Sequence, residues 1–203
     1  MTTLHAAPGT CSLAVHIALR ETGQPFHLSL VDLARHTLPD GSDYRRISPR
    51  GYVPLLQLDD GSRHTEAAAL LQYVADQDPT QALIGPVRSA RRLAVVQWLS
   101  FVASELHKTF SPWLWQKDTP EATRRAVHER LAARFTELDT LLAGQEYLAG
   151  DYSVADAYAF TILNWTNFLP MPLTAHPHLQ AYLARVAQRP AVREALRAEG
   201  LTP

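Results

Sequence analysis

The sequence predicts an α/β domain followed by an all-helical domain. Short apolar runs alternate with helical patterns over residues 1–78, whereas only long helical patterns occur over residues 88–203. Residues 79–87 contain prolines and a glycine and are typical of an interdomain linker. A chain of 203 residues is long enough for two modest domains.

The composition has no charged or apolar extreme. Charged residues make up 19% of the chain and hydrophobic residues 46%, with a formal net charge of −1. This balance indicates neither nucleic acid nor a membrane as a partner. No apolar stretch approaches the ~20 residues of a membrane span, and no secretory signal pattern opens the chain. A single cysteine cannot form an intrachain disulfide, so we expect a cytoplasmic protein.

The first elements predict a βαβ unit. The apolar run at 3–7 predicts a strand, and the pattern over 12–22 predicts a helix that Gly23 and Pro25 end. Residues 26–31 are apolar enough for a second strand. Because a crossover helix joins parallel strands, we expect these two strands to be parallel.

A polar loop leads into the next strand. Residues 34–51 predict this loop, with one short helix near Tyr44. Val53 precedes Pro54, and a residue before proline is driven into extended geometry. Proline cannot donate to a sheet ladder and therefore occurs at strand starts and edges, which places Pro54 at such a position. We therefore expect the N–H and C=O groups of Val53 to face a partner outside the sheet.

A hairpin and a second helix complete the first domain. Turn residues at 59–62 predict a hairpin to a return strand at 63–65. Thr65 is the expected N-cap of a helix over 66–76. Beyond the linker, helical patterns extend over about 87–110, 120–143, 154–168, 178–188 and 191–199.

Two of the later helices carry further signals. Ser153 and Asp156 have the spacing of a capping box, with aspartate in place of glutamate. The apolar residues of the helix over 87–110 cover more than one stripe. Packing inside the helical domain and a homodimer interface both explain that width.

Cys11 lies where the first strand gives way to the first helix. Helix-terminal amides and the macrodipole favour an anion there, and they can bring a thiol pKa from ~8.5 to roughly 7. Full activation requires another donor, for example a histidine. The alternative interpretation is that Cys11 is a small buried hydrophobe.

Several well-known motifs are absent. The sequence contains no glycine-rich phosphate loop, Cys-x-x-Cys, His-Glu-x-x-His or Gly-x-Ser-x-Gly. Its nine histidines are scattered and lack thiol or carboxylate partners at ligand spacing. We therefore expect no metal cofactor.

Four segments occur in a characteristic order. They are Cys-Ser-Leu-Ala at 11–14, Ser-Pro-Arg-Gly-Tyr-Val-Pro at 48–54, Glu66 before Leu-Gln-Tyr at 71–73, and Gly-Asp-Tyr-Ser-Val-Ala-Asp at 150–156. Together they resemble the cytosolic glutathione S-transferases, most closely the bacterial beta class, over essentially the whole chain. The resemblance implies a thioredoxin-like N-terminal domain, an all-α C-terminal domain and a homodimer.

The resemblance also implies a reaction and its catalytic residues. Glutathione would be the co-substrate, and its thiolate would attack a small hydrophobic electrophile in a detoxification reaction. Cys11 would lie beside the glutathione sulfur, as a hydrogen-bond donor or in a mixed disulfide. His107 would reach in from the helical domain, either as neutral imidazole that takes the thiol proton or as imidazolium that holds the thiolate. Ser12 or Thr10 would share the hydrogen bond to the sulfur.

Glutathione-binding positions follow from the same resemblance. The Val53 backbone would pair with the cysteinyl part of glutathione, next to Tyr52 and a cis Pro54. Glu66 and Ala67 would receive the γ-glutamyl end, where a carboxylate also suits an ammonium group. At the glycyl carboxylate the resemblance leaves a choice between Arg35 and His36.

Aromatic residues are the candidates for the electrophile site. The resemblance implies that Trp165 lines this site, although a core position suits tryptophan equally well. Other candidates for its walls are Trp113, Trp115 and Phe168.

Three departures from the family pattern bear on the mechanism. Ala67 replaces a serine and so removes a hydroxyl contact, and Ser48 stands where asparagine is frequent. Ala6 or Ala7 occupies the place of a catalytic tyrosine, which excludes a tyrosine-driven mechanism. Two alternatives therefore accompany conjugation: thiol–disulfide exchange or peroxide reduction through Cys11, and a non-catalytic ligand-binding protein of the same fold.

Overall fold

All strands of the computed structural model, which describes residues 1–201, form one four-stranded sheet. Its order is β2-β1-β3-β4, with bounds β1 Thr3–Ala6, β2 His27–Leu30, β3 Leu55–Gln57 and β4 Arg63–His64. Strand β1 is parallel to β2 and antiparallel to β3, and Leu4 lies opposite Leu28 and Leu56. The predicted βαβ unit and the hairpin are therefore confirmed.

Two helices pack together in this half of the chain. Helix α1 spans Ser12–Thr22 and ends at Gly23, whose φ of 67° is the left-handed geometry that glycine accommodates. Helix α2 spans Ala67–Asp76 and contacts α1. The expected short helix near Tyr44 is a 3₁₀ turn.

The start of α2 differs from the expectation. Thr65 is not its N-cap; Glu66 is, with φ of 70° and ψ of 105°. This geometry turns the Glu66 C=O to accept the N–H groups of Ala69 and Leu70. The backbone at Glu66, rather than a threonine hydroxyl, therefore begins the helix.

Every element from Ala90 onward is helical. Helix α3 spans Ala90–Phe101 and continues as a π-helical segment, Val102–His107, into the short α4, Lys108–Phe110. The others are α5 Glu121–Leu142, α6 Val154–Leu163, a 3₁₀ turn Asn164–Asn167, α7 Pro177–Ala187 and α8 Pro190–Ala198. The five predicted helical regions are confirmed, and the π-helical segment is an addition that the apolar pattern did not predict.

Helix α6 forms the centre of the helical half, and each of its residues is buried. Its capping box is confirmed, because the Asp156 carboxylate accepts the backbone N–H of Ser153 while the Ser153 hydroxyl accepts the N–H of Ala155. The same carboxylate accepts the N–H of Leu148 and the hydroxyl of Tyr182. Burial raises the pKa of Asp156, and these hydrogen bonds oppose that rise.

Helix α3 buries one stripe only. Val95 and Leu99 are buried, whereas the Leu93 side chain is 70% exposed and Trp98 is half-buried. Packing within this chain therefore covers only part of the apolar surface of α3. Over residues 1–201, no helix combines the length and the apolar character needed to cross a bilayer.

Candidate active site

The turn before α1 is held by residues from the far end of the chain. The indole N–H of Trp165 donates to the Gly9 C=O at 2.8 Å, and the Glu199 carboxylate accepts the Gly9 N–H at 2.9 Å. Buried His16 bridges to the second oxygen of Glu199 at 2.8 Å, and Arg20 donates to the other ring nitrogen of His16. Both backbone polar groups of Gly9 are therefore fixed by the helical half.

The hydroxyls of this turn are used within the turn. Ser12 is fully buried, and its Oγ accepts the N–H of Ala7 at 3.0 Å and lies 2.8 Å from the Thr10 hydroxyl. The Thr10 hydroxyl donates to the Ala7 C=O at 2.9 Å. The Ser12 hydroxyl is thus engaged by the backbone that it shapes, and its expected hydrogen bond to a ligand sulfur stays a prediction.

Cys11 is half-buried, and its thiol donates to the backbone C=O of Val53 at 3.4 Å. Burial raises the pKa of the Cys11 thiol to about 12, against the opposing pull of the Lys108 ammonium and of the helix-terminal amides. The predicted fall of this pKa toward 7 is therefore wrong. At neutral pH Cys11 is a thiol that can donate a hydrogen bond, and it is not a resident thiolate.

The loop before β3 presents a free backbone edge. The hydroxyls of Tyr44 and Ser48 both donate to the C=O of Tyr52, at 2.9 and 3.1 Å, and these hydrogen bonds fix the loop. The Val53–Pro54 peptide bond is cis, as the resemblance implied. Within residues 1–201 the Val53 N–H has no hydrogen-bond partner. The Val53 N–H is therefore free for a ligand, whereas its C=O already accepts the Cys11 thiol; the pairing of both groups with a partner outside the sheet stays a prediction.

The N-terminus of α2 combines free backbone amides with a nearby carboxylate. The first amides of the helix, at Ala67 and Ala68, have no hydrogen-bond acceptor within residues 1–201. The Glu66 side chain is 75% exposed, and its carboxylate lies 3.7 Å from Arg50. A non-glycine residue at φ 70° and ψ 105° is strained by about 1–3 kcal/mol, a feature that clusters at ligand-binding sites.

His36 and Arg35 occupy different surroundings. The His36 ring lies so close to Gly51 that a Cβ at position 51 would come within 2.7 Å of it. His36 therefore packs on the loop that carries Val53. Arg35 is 82% exposed, and its nearest acidic partner is Asp32 at 3.8 Å.

His107 ends the π-helical segment of the helical half. Its Nδ1 is 2.7 Å from the Tyr158 hydroxyl, and its ring packs edge-on against Trp165 with centroids 5.3 Å apart. Burial lowers the pKa of His107 to about 4, and Lys108 adds to this effect. The lowered pKa favours neutral imidazole near neutral pH, and both expected roles of His107 toward a bound thiol stay predictions.

The aromatic candidates separate into two places. Trp165 is buried, with its indole N–H committed to Gly9, and Trp115 packs edge-on against it at 5.6 Å. Trp113 is 43% exposed. Phe168 is 59% exposed and lines a separate groove of about 630 Å³, which includes neither Cys11 nor His107. The structure thus places Trp165 beside His107 and Trp115 beside Trp165, and Phe168 lies apart.

Sequence reasoning missed four residues around this cleft. Lys108 acts electrostatically on Cys11, Tyr158 contacts His107, Glu199 holds Gly9, and Arg50 lies near Glu66. A tyrosine inside the otherwise apolar α6 is a usable signal, because a buried phenol requires a hydrogen-bond partner. Within residues 1–201 no group of three or more His, Cys, Asp or Glu side chains is placed to hold a metal ion.

These features define a class of protein. A β1-α1-β2 unit, the antiparallel β3 and β4, and α2 form a thioredoxin-like domain, and an all-helical domain follows it. This domain carries a cysteine at the start of its first helix, a free backbone N–H at Val53 and free amides at the start of α2.

Comparisons with known proteins specify the class further. Residues 9–77 match the family description "Glutathione S-transferase, N-terminal domain" and residues 101–190 match "Glutathione S-transferase, C-terminal domain". The chain is 43% identical to glutathione S-transferase GstA of Escherichia coli O157:H7 over 96% of each chain. It therefore belongs to the glutathione S-transferase family, and it is an enzyme of the transferase class.

Solved structures give the same result. The ternary complex of BphK, described as a bacterial glutathione S-transferase, is 46% identical to this chain with a TM-score of 0.94. The match covers 98% of this chain and 100% of the BphK chain. A sphingomonad glutathione S-transferase complexed with glutathione has 42% identity and a TM-score of 0.92, with the same coverage.

Proposed function

We propose that this enzyme binds glutathione in an extended form across the loop at Val53, with the glutathione sulfur beside Cys11. The single observation that carries the proposal is the free Val53 N–H, whose neighbouring C=O already accepts the Cys11 thiol. An extended peptide that pairs with this edge brings its own cysteinyl side chain toward Cys11. The sphingomonad relative, solved as a glutathione complex, supports this assignment.

Polar and charged groups of the protein would complement the two ends of the tripeptide. The γ-glutamyl end carries an ammonium and a carboxylate; Glu66 would pair with the ammonium and the free amides of Ala67 and Ala68 with the carboxylate. We propose that His36, which packs against Gly51, contacts the glycyl carboxylate. The exposed Arg35 guanidinium would add a second contact to that carboxylate. Tyr52, whose side chain is 66% exposed, would cover the bound peptide.

The reaction we propose is conjugation. The glutathione S–H bond breaks, its proton passes to solvent, and the thiolate keeps the electron pair. That sulfur attacks an electrophilic carbon; the C–S bond forms and the leaving group departs with its bonding electrons. Cys11, as a thiol with a raised pKa, would turn its S–H from the Val53 C=O to the thiolate and donate a hydrogen bond there, and the Lys108 ammonium would stabilise the negative charge.

A small hydrophobic electrophile would lie against the aromatic side of the cleft. We propose Trp115 and Trp113 as its walls, with buried Trp165 behind them. Phe168 lines the separate groove and has a weaker claim. Conjugation of such compounds is a detoxification reaction.

We also propose a cytoplasmic homodimer. The side chains of Tyr73, Val87 and Leu93 are between 42% and 70% exposed on or near α2 and α3, which an Arg92–Asp76 ion pair joins at 2.6 Å. Such apolar exposure on neighbouring helices favours a second copy of the chain as the partner. One half-buried cysteine suits a reducing compartment.

Thiol–disulfide exchange through Cys11 is the less favoured activity. The attacking species in exchange is a thiolate, and the raised pKa keeps Cys11 protonated near neutral pH. We expect Cys11→Ala to retain measurable conjugation activity. Accumulation of a stoichiometric Cys11–glutathione adduct during turnover, detected by mass spectrometry, would instead favour exchange.

Binding and turnover test the proposal together. Calorimetry should detect glutathione binding, and an activated aromatic halide should be conjugated. Ala67→Pro removes one free amide at the first helical position, where proline is tolerated, and should weaken binding by about tenfold or more. Ala67→Ser keeps that amide and is the matched control. Absence of binding to the native chain, or native affinity in Ala67→Pro, would overturn the proposal.

A further inference from the structure

Tyr158 is a buried phenol whose partner is His107. It lies within α6 with 2% of its surface exposed, and its hydroxyl is 2.7 Å from His107 Nδ1. The two rings meet edge to face, with centroids 5.8 Å apart. Within residues 1–201, no third group is in hydrogen-bond distance of this hydroxyl or of His107 Nε2. The pair is therefore an isolated hydrogen bond with one ring nitrogen left for a ligand.

The protonation states of the pair are fixed by burial. Burial raises the pKa of Tyr158 well above its ordinary value, with Cys11 and Glu66 adding to the effect, so the phenol keeps its proton. Burial lowers the pKa of His107 to about 4, and the neighbouring Lys108 lowers it further, so the imidazole is neutral. Neutral imidazole has one N–H donor and one bare nitrogen.

Two arrangements of these protons are conceivable, and they differ in cost. If Tyr158 donates to a bare Nδ1, both groups of the contact are satisfied and the His107 proton is on Nε2. If Nδ1–H donates to the phenol oxygen, the Tyr158 proton is buried with no acceptor within residues 1–201. A buried donor without an acceptor carries its full desolvation penalty, so the first arrangement is favoured.

We propose that Tyr158 is a positioning residue that fixes His107 as the Nε2–H tautomer, so that His107 donates a hydrogen bond to the glutathione sulfur and does not take its proton. This inference rests on the proposed function and decides between the roles that neutral His107 can have there. The proton of the thiol then passes to solvent, and the sulfur keeps its electron pair. Two donors, Cys11 and His107, would converge on one anionic sulfur.

Nuclear magnetic resonance tests the tautomer without any ligand. Long-range ¹H–¹⁵N spectra distinguish a protonated ring nitrogen from a bare one, and His107→Gln identifies the His107 signals among those of the nine histidines. We expect the native enzyme at neutral pH to show a protonated Nε2 and a bare Nδ1, and Tyr158→Phe to show a mixture of tautomers. A protonated Nδ1 in the native enzyme would overturn the inference, whether or not glutathione binds.

Kinetics test the role of the fixed donor. Glutamine can donate from a position close to that of Nε2 but cannot act as a base. His107→Gln should therefore lose no more than about threefold in kcat/KM, whereas His107→Leu should lose about tenfold or more. Tyr158→Phe should lower kcat severalfold with an unchanged KM for glutathione. Equal loss of kcat in the two His107 variants, with native glutathione affinity, would identify a base and refute the inference. Failure of the native enzyme to bind glutathione would instead refute the proposed function.

Discussion

Cys11 illustrates the competition between burial and helix-end electrostatics at one thiol. The macrodipole stabilises an anion by ~0.3–1 kcal/mol and by up to ~2 in a favourable site, whereas burial shifts a pKa by up to about 3–5 units. The larger effect prevails, and the pKa of Cys11 rises to about 12 even with the Lys108 ammonium nearby. A sequence reveals that a cysteine begins a helix, but the depth of its burial depends on loops distant in the chain.

The reactivity of Cys11 follows from its raised pKa. Because the thiolate is the nucleophile, alkylation of the free enzyme near neutral pH should be at least about tenfold slower than alkylation of free cysteine, and its rate should still be rising above pH 9. The chain has only one cysteine, so the labelled fraction measured by mass spectrometry reports Cys11 alone. The urea-unfolded protein is the control and should react like free cysteine. A rate that reaches a plateau below pH 8 would contradict the raised pKa.

The pKa of His107 makes stability depend on pH in a defined direction. A pKa lowered from 6.5 to about 4 means that the unfolded chain binds more protons than the folded chain between these values, so stability falls as pH decreases through this window. By about pH 5 this contribution amounts to a loss of about 2 kcal/mol relative to pH 7.

His107→Gln isolates this contribution, since it removes the titrating ring and keeps an acceptor for Tyr158. Urea unfolding at both pH values should show that the variant loses about 2 kcal/mol less than the native enzyme. Other titrating groups are common to both proteins and cancel in the comparison. An identical loss in the two proteins would show that His107 titrates normally in the folded state.

Helix α6 depends on the Asp156 carboxylate for its start and for its neighbours. Asp156→Ala leaves the buried N–H groups of Leu148 and Ser153 without an acceptor, at a cost of about 1–3 kcal/mol each. We therefore expect a loss of about 3 kcal/mol or more in unfolding free energy. Asp151→Ala is the matched control, because the Asp151 side chain is 91% exposed and pairs with Arg91, an interaction worth up to about 1 kcal/mol. Equal losses in the two variants would contradict this role.

The elements were predictable where local signals decide their structure. Gly23 ends α1 and the Ser153–Asp156 spacing begins α6, because both signals act within a few residues. The start of α2 was not predictable in this way, since an unusual backbone geometry at Glu66 replaces the expected Thr65 cap. The π-helical segment before Lys108 also escaped prediction, as one extra residue in a turn leaves the apolar pattern nearly unchanged.

Residues from the helical half of the chain hold the turn that carries Cys11. Glu199, near the end of the chain, and Trp165 hold the two polar groups of Gly9, and buried His16 secures Glu199. The candidate site was predictable on the N-terminal side, where Val53 and Glu66 lie within recognisable motifs. The contact of Glu199 with Gly9 was not predictable, because residues 190 positions apart leave no pattern in a single sequence.

The exposed apolar face of α3 bears on assembly. Leu93→Glu introduces a charge at a side chain that is 70% exposed in the single chain, so it should leave the fold intact and dissociate the proposed dimer. Sedimentation velocity should show a dimer for the native enzyme and a monomer for the variant. The matched control is Ala126→Glu, which adds the same charge at an exposed position of α5 and should remain dimeric. A native enzyme that sediments as a monomer would refute the dimer.

A crystal structure of the enzyme with glutathione tests the binding mode most directly. We expect the cysteinyl backbone of glutathione to be paired with the Val53 backbone, the γ-glutamyl carboxylate on the amides of Ala67 and Ala68, and the sulfur within hydrogen-bond distance of both Cys11 Sγ and His107 Nε2. Glutathione bound elsewhere, for example in the groove at Phe168, or with its sulfur directed away from Cys11, would contradict the proposed site.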